Sequence, residues 1–95
     1  MYIRITTISY DPAKEQELLR FTDEQFIPAL RQFPGFQSYT SGLDRAAARG
    51  VSVSVWDNME HAQSIRTALG DIIGQLEALS VHFDPAQIYE VVAQA

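Results

Sequence analysis

The sequence predicts an α+β domain in which strands and helices follow one another as β-α-β-β-α-β, and three observations lead there. Stretches of β-branched and aromatic residues with period-two alternation lie at 2–10, 36–43, 51–56 and 87–93. Between the first and second, and again between the third and fourth, apolar residues recur every three to four positions, the spacing of one helix face. Each strand-to-helix junction also carries an aspartate, Asp11 and Asp57, suited to accept hydrogen bonds from the first free amides of a helix.

Taken in order, YIRITTISY from Tyr2 puts Ile3, Ile5 and Thr7 on one face of a strand and Arg4, Thr6 and Ile8 on the other. Asp11-Pro12 starts a helix, because proline in the first turn has no amide to waste. Leu18, Thr22, Phe26, Ala29, Leu30 and Phe33 form its apolar stripe, and Pro28 within it predicts a kink or a break. Pro34-Gly35 ends the helix, FQSYTSGL from Phe36 is the second strand, and the segment from Leu43 to Gly50 is a mobile hairpin loop. VSVSVW from Val51 is the third strand. Its valines should face the helices, leaving Ser52, Ser54 and Trp56 on the opposite side. Asp57, with Glu60 three residues on, predicts a capped second helix from Asn58 that Gly70 interrupts and that resumes with Ile72, Ile73, Leu76 and Leu79. Asp84-Pro85 turns the chain into a last strand from Gln87 to Ala93. The result is a ferredoxin-like split βαβ arrangement with a four-stranded antiparallel sheet, filling residues 1–95 as a single domain.

Composition narrows the function. There are 95 residues, 46% hydrophobic and 20% charged, with a net charge of -5 and no cysteine. Thiol chemistry, disulfides and cysteine-based metal sites are excluded, and the dispersed basic residues argue against a nucleic-acid partner. No basic leader precedes an apolar run, and no long apolar stretch occurs, so a cytoplasmic chain without a membrane partner is expected. No HxH, HxxxH or HExxH spacing, GxSxG setting or glycine-rich phosphate loop exists, so neither metal nor cofactor is expected. Two helices cover one sheet face only. With so small a core, the other face is expected to make a homodimer.

Two phrases carry a family likeness: Phe33-Pro34-Gly35-Phe36 at the first helix exit, and Val53-Ser54-Val55-Trp56-Asp57-Asn58-Met59-Glu60-His61-Ala62 at the end of the third strand. With the element order, they make the chain resemble the antibiotic biosynthesis monooxygenase-like family over nearly its whole length. The resemblance implies a dimeric α+β barrel in which two subunits pair sheet to sheet, and a range of activities from cofactor-independent monooxygenation of quinol-forming aromatics to haem degradation. Haem-degrading relatives have an asparagine on the first strand and a histidine late in the second helix. This chain has Thr6, Thr7 and Ser9 in the one region and residues such as Arg66 in the other, which disfavours that branch. Polyketide-oxidising relatives carry an asparagine where Ser52 stands; Trp56 carries over.

Side-chain chemistry supplies the candidate site. Trp56 offers an aromatic wall and one N–H donor, or a staple against His61. His61 is the candidate base, since imidazole titrates near pH ~6.5 and can take a proton from a phenol. Trp56, Tyr39, Phe26, Phe21 and Phe83 are the expected lining of an aromatic pocket, and Arg66 is placed to meet an anionic substrate or a solvent-exposed carboxylate. Arg4, mid-strand, is a second candidate to pair with an anionic substrate or stabilise a phenolate, and would need a partner such as Glu90 if it faced a dimer interior; His82 is read as a surface turn residue. These readings lead to a cofactor-independent oxidation of a phenolic or quinol-type small molecule, with a non-catalytic homodimeric module for a hydrophobic small ligand as the alternative.

Overall fold

The computed structural model describes residues 1–95. The strands are β1 (Tyr2–Ser9), β2 (Phe36–Asp44), β3 (Arg49–Trp56), β4 (His82–Phe83) and β5 (Gln87–Glu90); the helices are α1 (Glu15–Phe21), α2 (Ile27–Arg31), α3 (Met59–Ala68) and α4 (Gly70–Ala78). The sheet runs β2-β3-β1-β4, with β5 also on β1, and every pairing is antiparallel. This is the ferredoxin-like order with β1 at the centre. β4 and β5 share one edge of β1: Phe83 lies opposite Ile8, and Gln87 lies opposite Ile5. The sheet therefore has five strands instead of four because the last strand is split at Asp84-Pro85-Ala86, where proline has no amide to give the ladder. β5 also ends at Glu90, short of the expected Ala93.

Both predicted helices are broken where the sequence breaks them. Asp11 accepts a hydrogen bond from the Ala13 amide at 2.9 Å and opens a single 3-10 turn before α1. Between α1 and α2, Thr22–Phe26 forms a wide π turn, which leaves Pro28 in the first turn of α2. There its missing amide breaks no helical bond. Leu69, just before Gly70, separates α3 from α4, whereas Gly74 is carried inside α4 without interruption. The hairpin is tighter than expected, because β2 and β3 extend to Asp44 and Arg49.

One predicted cap is corrected. The α3 cap is Asn58, whose Oδ1 accepts from the His61 amide at 2.9 Å, and the helix starts at Met59. That shift of one residue frees Asp57 from capping. It also moves the staple positions to Asp57 and Ala62, so the expected Trp56–His61 staple is not what fixes the helix entry.

The assignment of sheet faces is also corrected. Trp56 is 1% exposed and Ser54 7%, while Val51 is 38% exposed. Helices therefore cover the serine and tryptophan face of β3, and the valines point away. Trp56 joins Leu30, Ala62, Ile65 and Leu69 in one core cluster; Tyr10, Leu18, Leu76 and Val81 form a second. The register extends the uncovered face across the sheet, with Ile3 opposite Val55 and Tyr89, and Ile5 opposite Val53. Its centre is aliphatic. Period-two alternation separates two faces without saying which one a helix covers, and here the large aromatic decides, since Trp56 alone removes more apolar surface from water than any valine.

Candidate functional site

The register puts Arg4 opposite Ser54, Thr6 opposite Ser52, and Tyr39 opposite Ser54, all on the helix-covered face. Helices do not fill the space above these side chains. A cavity of about 60 Å3 remains, floored by Arg4, Thr6, Tyr39, Ser52 and Ser54. Its helical wall is Phe26, Leu30, Ile65, Arg66 and Ile73, and the β4–β5 junction closes it with Phe83, Asp84 and Ala86. Such a volume is small beside the ~300–1,000 Å3 of drug-sized sites and below the ~150 Å3 of a cavity that encloses one benzene ring, so a ring is held only in part, with the remainder in the open mouth.

Several of the cavity's polar groups have a defined partner. Ser52 Oγ donates to the Tyr39 hydroxyl at 3.2 Å, and the Tyr39 ring meets Phe26 edge-on, centroids 5.4 Å apart. Trp56 Nε1 donates to Ser54 Oγ at 2.8 Å, so the indole holds a cavity residue from behind while lying outside the lining itself. Its ring packs edge-on against Phe36, centroids 5.6 Å apart. Arg4 Nη1 donates to the carbonyl oxygen of Ala62, on α3, at 2.9 Å. Arg4 therefore faces the helices, and its expected partner Glu90 instead sits near the Tyr2 hydroxyl, at 3.5 Å. Arg66 lies over the Phe83 ring, 5.9 Å from its centroid. Burial, then the neighbouring charge of Arg66, holds the Arg4 pKa below the ordinary arginine value.

Asp84 reaches the cavity, yet its carboxylate is committed elsewhere. It accepts from Thr7 Oγ1 at 2.5 Å and pairs with Arg49 at 2.6 Å, and these two contacts, the threonine bond first, hold its pKa below the usual carboxylate value. A second acidic pair lies beyond the lining: Asp57 Oδ1 and His61 Nδ1 are 2.7 Å apart, and that bond lowers the Asp57 pKa. Gly35 makes room for it. Its φ is 81°, and a Cβ there would overlap the Asp57 carboxylate and the His61 ring, so only glycine fits.

Of the residues singled out from sequence, Tyr39, Phe26, Phe83 and Arg66 come together around the cavity. Trp56 is behind it, His61 stands at the start of α3 with Asp57, and Phe21 packs with the other core cluster. His82 lies in β4 opposite Ser9. Arg4, singled out with Arg66 for an anionic substrate, joins them at the cavity, whereas Thr6, Ser52, Ser54 and Asp84 were not expected to line it. The signal for the first three was present, since Thr6 shares a strand face with Arg4 and Ser52 and Ser54 alternate with valines. What it lacked was the register that stacks them.

No family model matches the sequence, and no curated protein does either. Solved structures do match. The chain superposes on a Deinococcus radiodurans protein assigned to the antibiotic biosynthesis monooxygenases with a TM-score of 0.80 at 20% identity, covering 100% of this chain and 96% of that one. A Streptomyces coelicolor monooxygenase from the gene ActVA-Orf6, solved with the ligand nanaomycin D, gives a TM-score of 0.68 at 20% identity over 99% of this chain and 89% of that one. A dimeric ferredoxin-like protein from an uncultured marine organism gives 0.73 at 13% identity, over 100% and 98%. The chain thus has the ferredoxin-like α+β fold of these proteins, the first of which carries the name of the family that its sequence resembles.

Proposed function

We propose that this chain is a homodimeric member of the antibiotic biosynthesis monooxygenase-like family that oxidises a single-ring phenol or quinol with dioxygen and no bound cofactor. The observation that carries the proposal is the cavity on the helix side of the sheet, which joins an apolar, aromatic wall to a floor of hydroxyls and one guanidinium. A ring entering through the mouth would lie toward Phe26, Leu30 and Ile73, with its hydroxyl directed at the Tyr39–Ser52 pair. In the reaction a ring C–H bond breaks and a C–O bond forms to one atom of dioxygen. The other atom leaves as water, the ring supplies the electrons, and a hydroquinone ends as a hydroxyquinone. The chain's part is to favour the electron-rich phenolate, whose charge a nearby guanidinium stabilises. Trp56 is a positioning residue through Ser54, and His61, oriented by Asp57, is the candidate proton acceptor nearest the indole in sequence.

The homodimer is supported by the uncovered face of Ile3, Ile5, Val51, Val53 and Val55 and by the dimeric neighbour of the same fold. The non-catalytic ligand-binding reading is favoured by one observation, that neither histidine lines the cavity. Oxygen uptake with hydroquinones separates the two. Wild-type chain should consume oxygen, Tyr39→Phe should slow it roughly tenfold or more, in line with the ~10²-fold scale of a positioned proton-transfer group, and His61→Ala should lower it if α3 supplies the base. Tight binding with no uptake above the buffer rate would sink the oxygenase and leave the binding module.

A further inference from the structure

Two of the seven basic side chains meet at the cavity without a carboxylate between them. Arg45 and Arg49 are paired, with Glu15 at 2.9 Å and Asp84 at 2.6 Å; neither Arg4 nor Arg66 forms any ion pair. Arg4 is the more telling. It is half-buried at the centre of β1 in a chain of net charge -5, where an acidic partner would be easy to supply. Desolvating a guanidinium costs free energy that an opposing anion normally offsets. Its bond to the Ala62 carbonyl uses one of the five N–H donors of a guanidinium. No buried side-chain nitrogen of the chain lacks a partner, so the remaining donors of Arg4 are open to the cavity or to water. The one carboxylate at the cavity, Asp84, is held by Thr7 and Arg49.

We infer that the cavity selects an anionic ligand, a single aromatic ring bearing a carboxylate, with the carboxylate seated between Arg4 and Arg66 and the ring against Phe26, Leu30 and Ile73. This rests on the cavity being the site proposed above and specifies the class of compound it takes. Arg4 presents its planar fork from the sheet floor, where Thr6 and Ser54 flank it, and Arg66 closes from α3, steadied by the Phe83 ring. A neutral hydroquinone would leave the like charges of Arg4 and Arg66 uncompensated at the cavity, whereas a carboxylate relieves their mutual repulsion. Each charge-assisted pair is strong enough to decide between an acid and its amide.

The test is calorimetric titration of the full chain with gentisate, a hydroquinone carrying a ring carboxylate, and with gentisamide, its uncharged amide, each beside an oxygen-uptake assay. Gentisate should bind roughly tenfold or more tightly than gentisamide, and the preference should shrink as salt is raised. Arg66→Gln lies on an exposed helix face and should keep the fold while losing most of that preference. Arg4→Lys keeps the charge and should retain part of it, which a purely structural bond to Ala62 would not explain. Equal binding of acid and amide, no binding of gentisate, or an unchanged preference in Arg66→Gln would each overturn the inference. Gentisate binding without oxygen uptake would uphold it and reject the oxygenase; uptake with neutral hydroquinone and no preference for the acid would do the reverse.

Discussion

Replacing Val53 with glutamate should convert the proposed homodimer to a monomer while leaving the chain folded. Val53 lies opposite Ile5 on β1 and Thr40 on β2, at the middle of the uncovered face, with Val51 and Val55 on either side. In a two-fold pairing of sheets the same patch meets itself, so one substitution places two like charges in an apolar contact. An unpaired buried charge costs ~3–5 kcal/mol, which corresponds to a dimer weakened roughly a hundredfold to several thousandfold. Because no helix touches that face, the folded chain loses little of its own core. Sedimentation should show the 10.7 kDa species in place of the dimer, with the circular dichroism spectrum unchanged. A variant that still sediments as a dimer would move the interface elsewhere.

Trp56→Ala should have the largest effect on stability, a loss of about 3–5 kcal/mol out of the ~5–15 kcal/mol available to a domain. The indole is 1% exposed and packs in the cluster that joins β3 to α2 and α3 through Leu30, Ala62 and Ile65. Its removal leaves a void that these side chains, anchored on two helices, cannot close. Ser54 Oγ would also lose the donor that holds it toward the cavity. Trp56→Phe divides the two roles, since it fills most of the volume and restores no hydrogen bond. Thermal melts should place Trp56→Phe between wild type and Trp56→Ala, and a Trp56→Ala melt within about a degree of wild type would show that the tryptophan is not the anchor of this core.

Element order was legible because its signals are local. Asp11-Pro12, Pro28, Gly70 and Asp84-Pro85 act within a few residues, and each break in the structure falls at or beside one of them. Pairings were less legible. That Pro85 splits the last strand into β4 and β5 requires knowing that both halves lie on β1, and Asn58 displaced Asp57 as the α3 cap by a choice between adjacent residues of equal capping strength. The burial of the serine face could not be read from β3 alone, because Val-Ser-Val-Ser-Val-Trp alternates whichever side is covered. The candidate site shows the same division: aromatic residues Phe26, Tyr39 and Phe83 stand out in the sequence, whereas Arg4 gains its meaning only when α3 is laid across it.

The whole functional account depends on ligands entering the side of the sheet that carries the helices, and amide NMR of the isotopically labelled chain titrated with gentisate tests this most directly. Shifts should concentrate at Thr6, Ser52, Ser54 and Ile65 and at the indole N–H of Trp56, which reports on Ser54. Shifts confined to Val51, Val53 and Tyr89 on the opposite face, or to Asp57 and His61 alone, would contradict it.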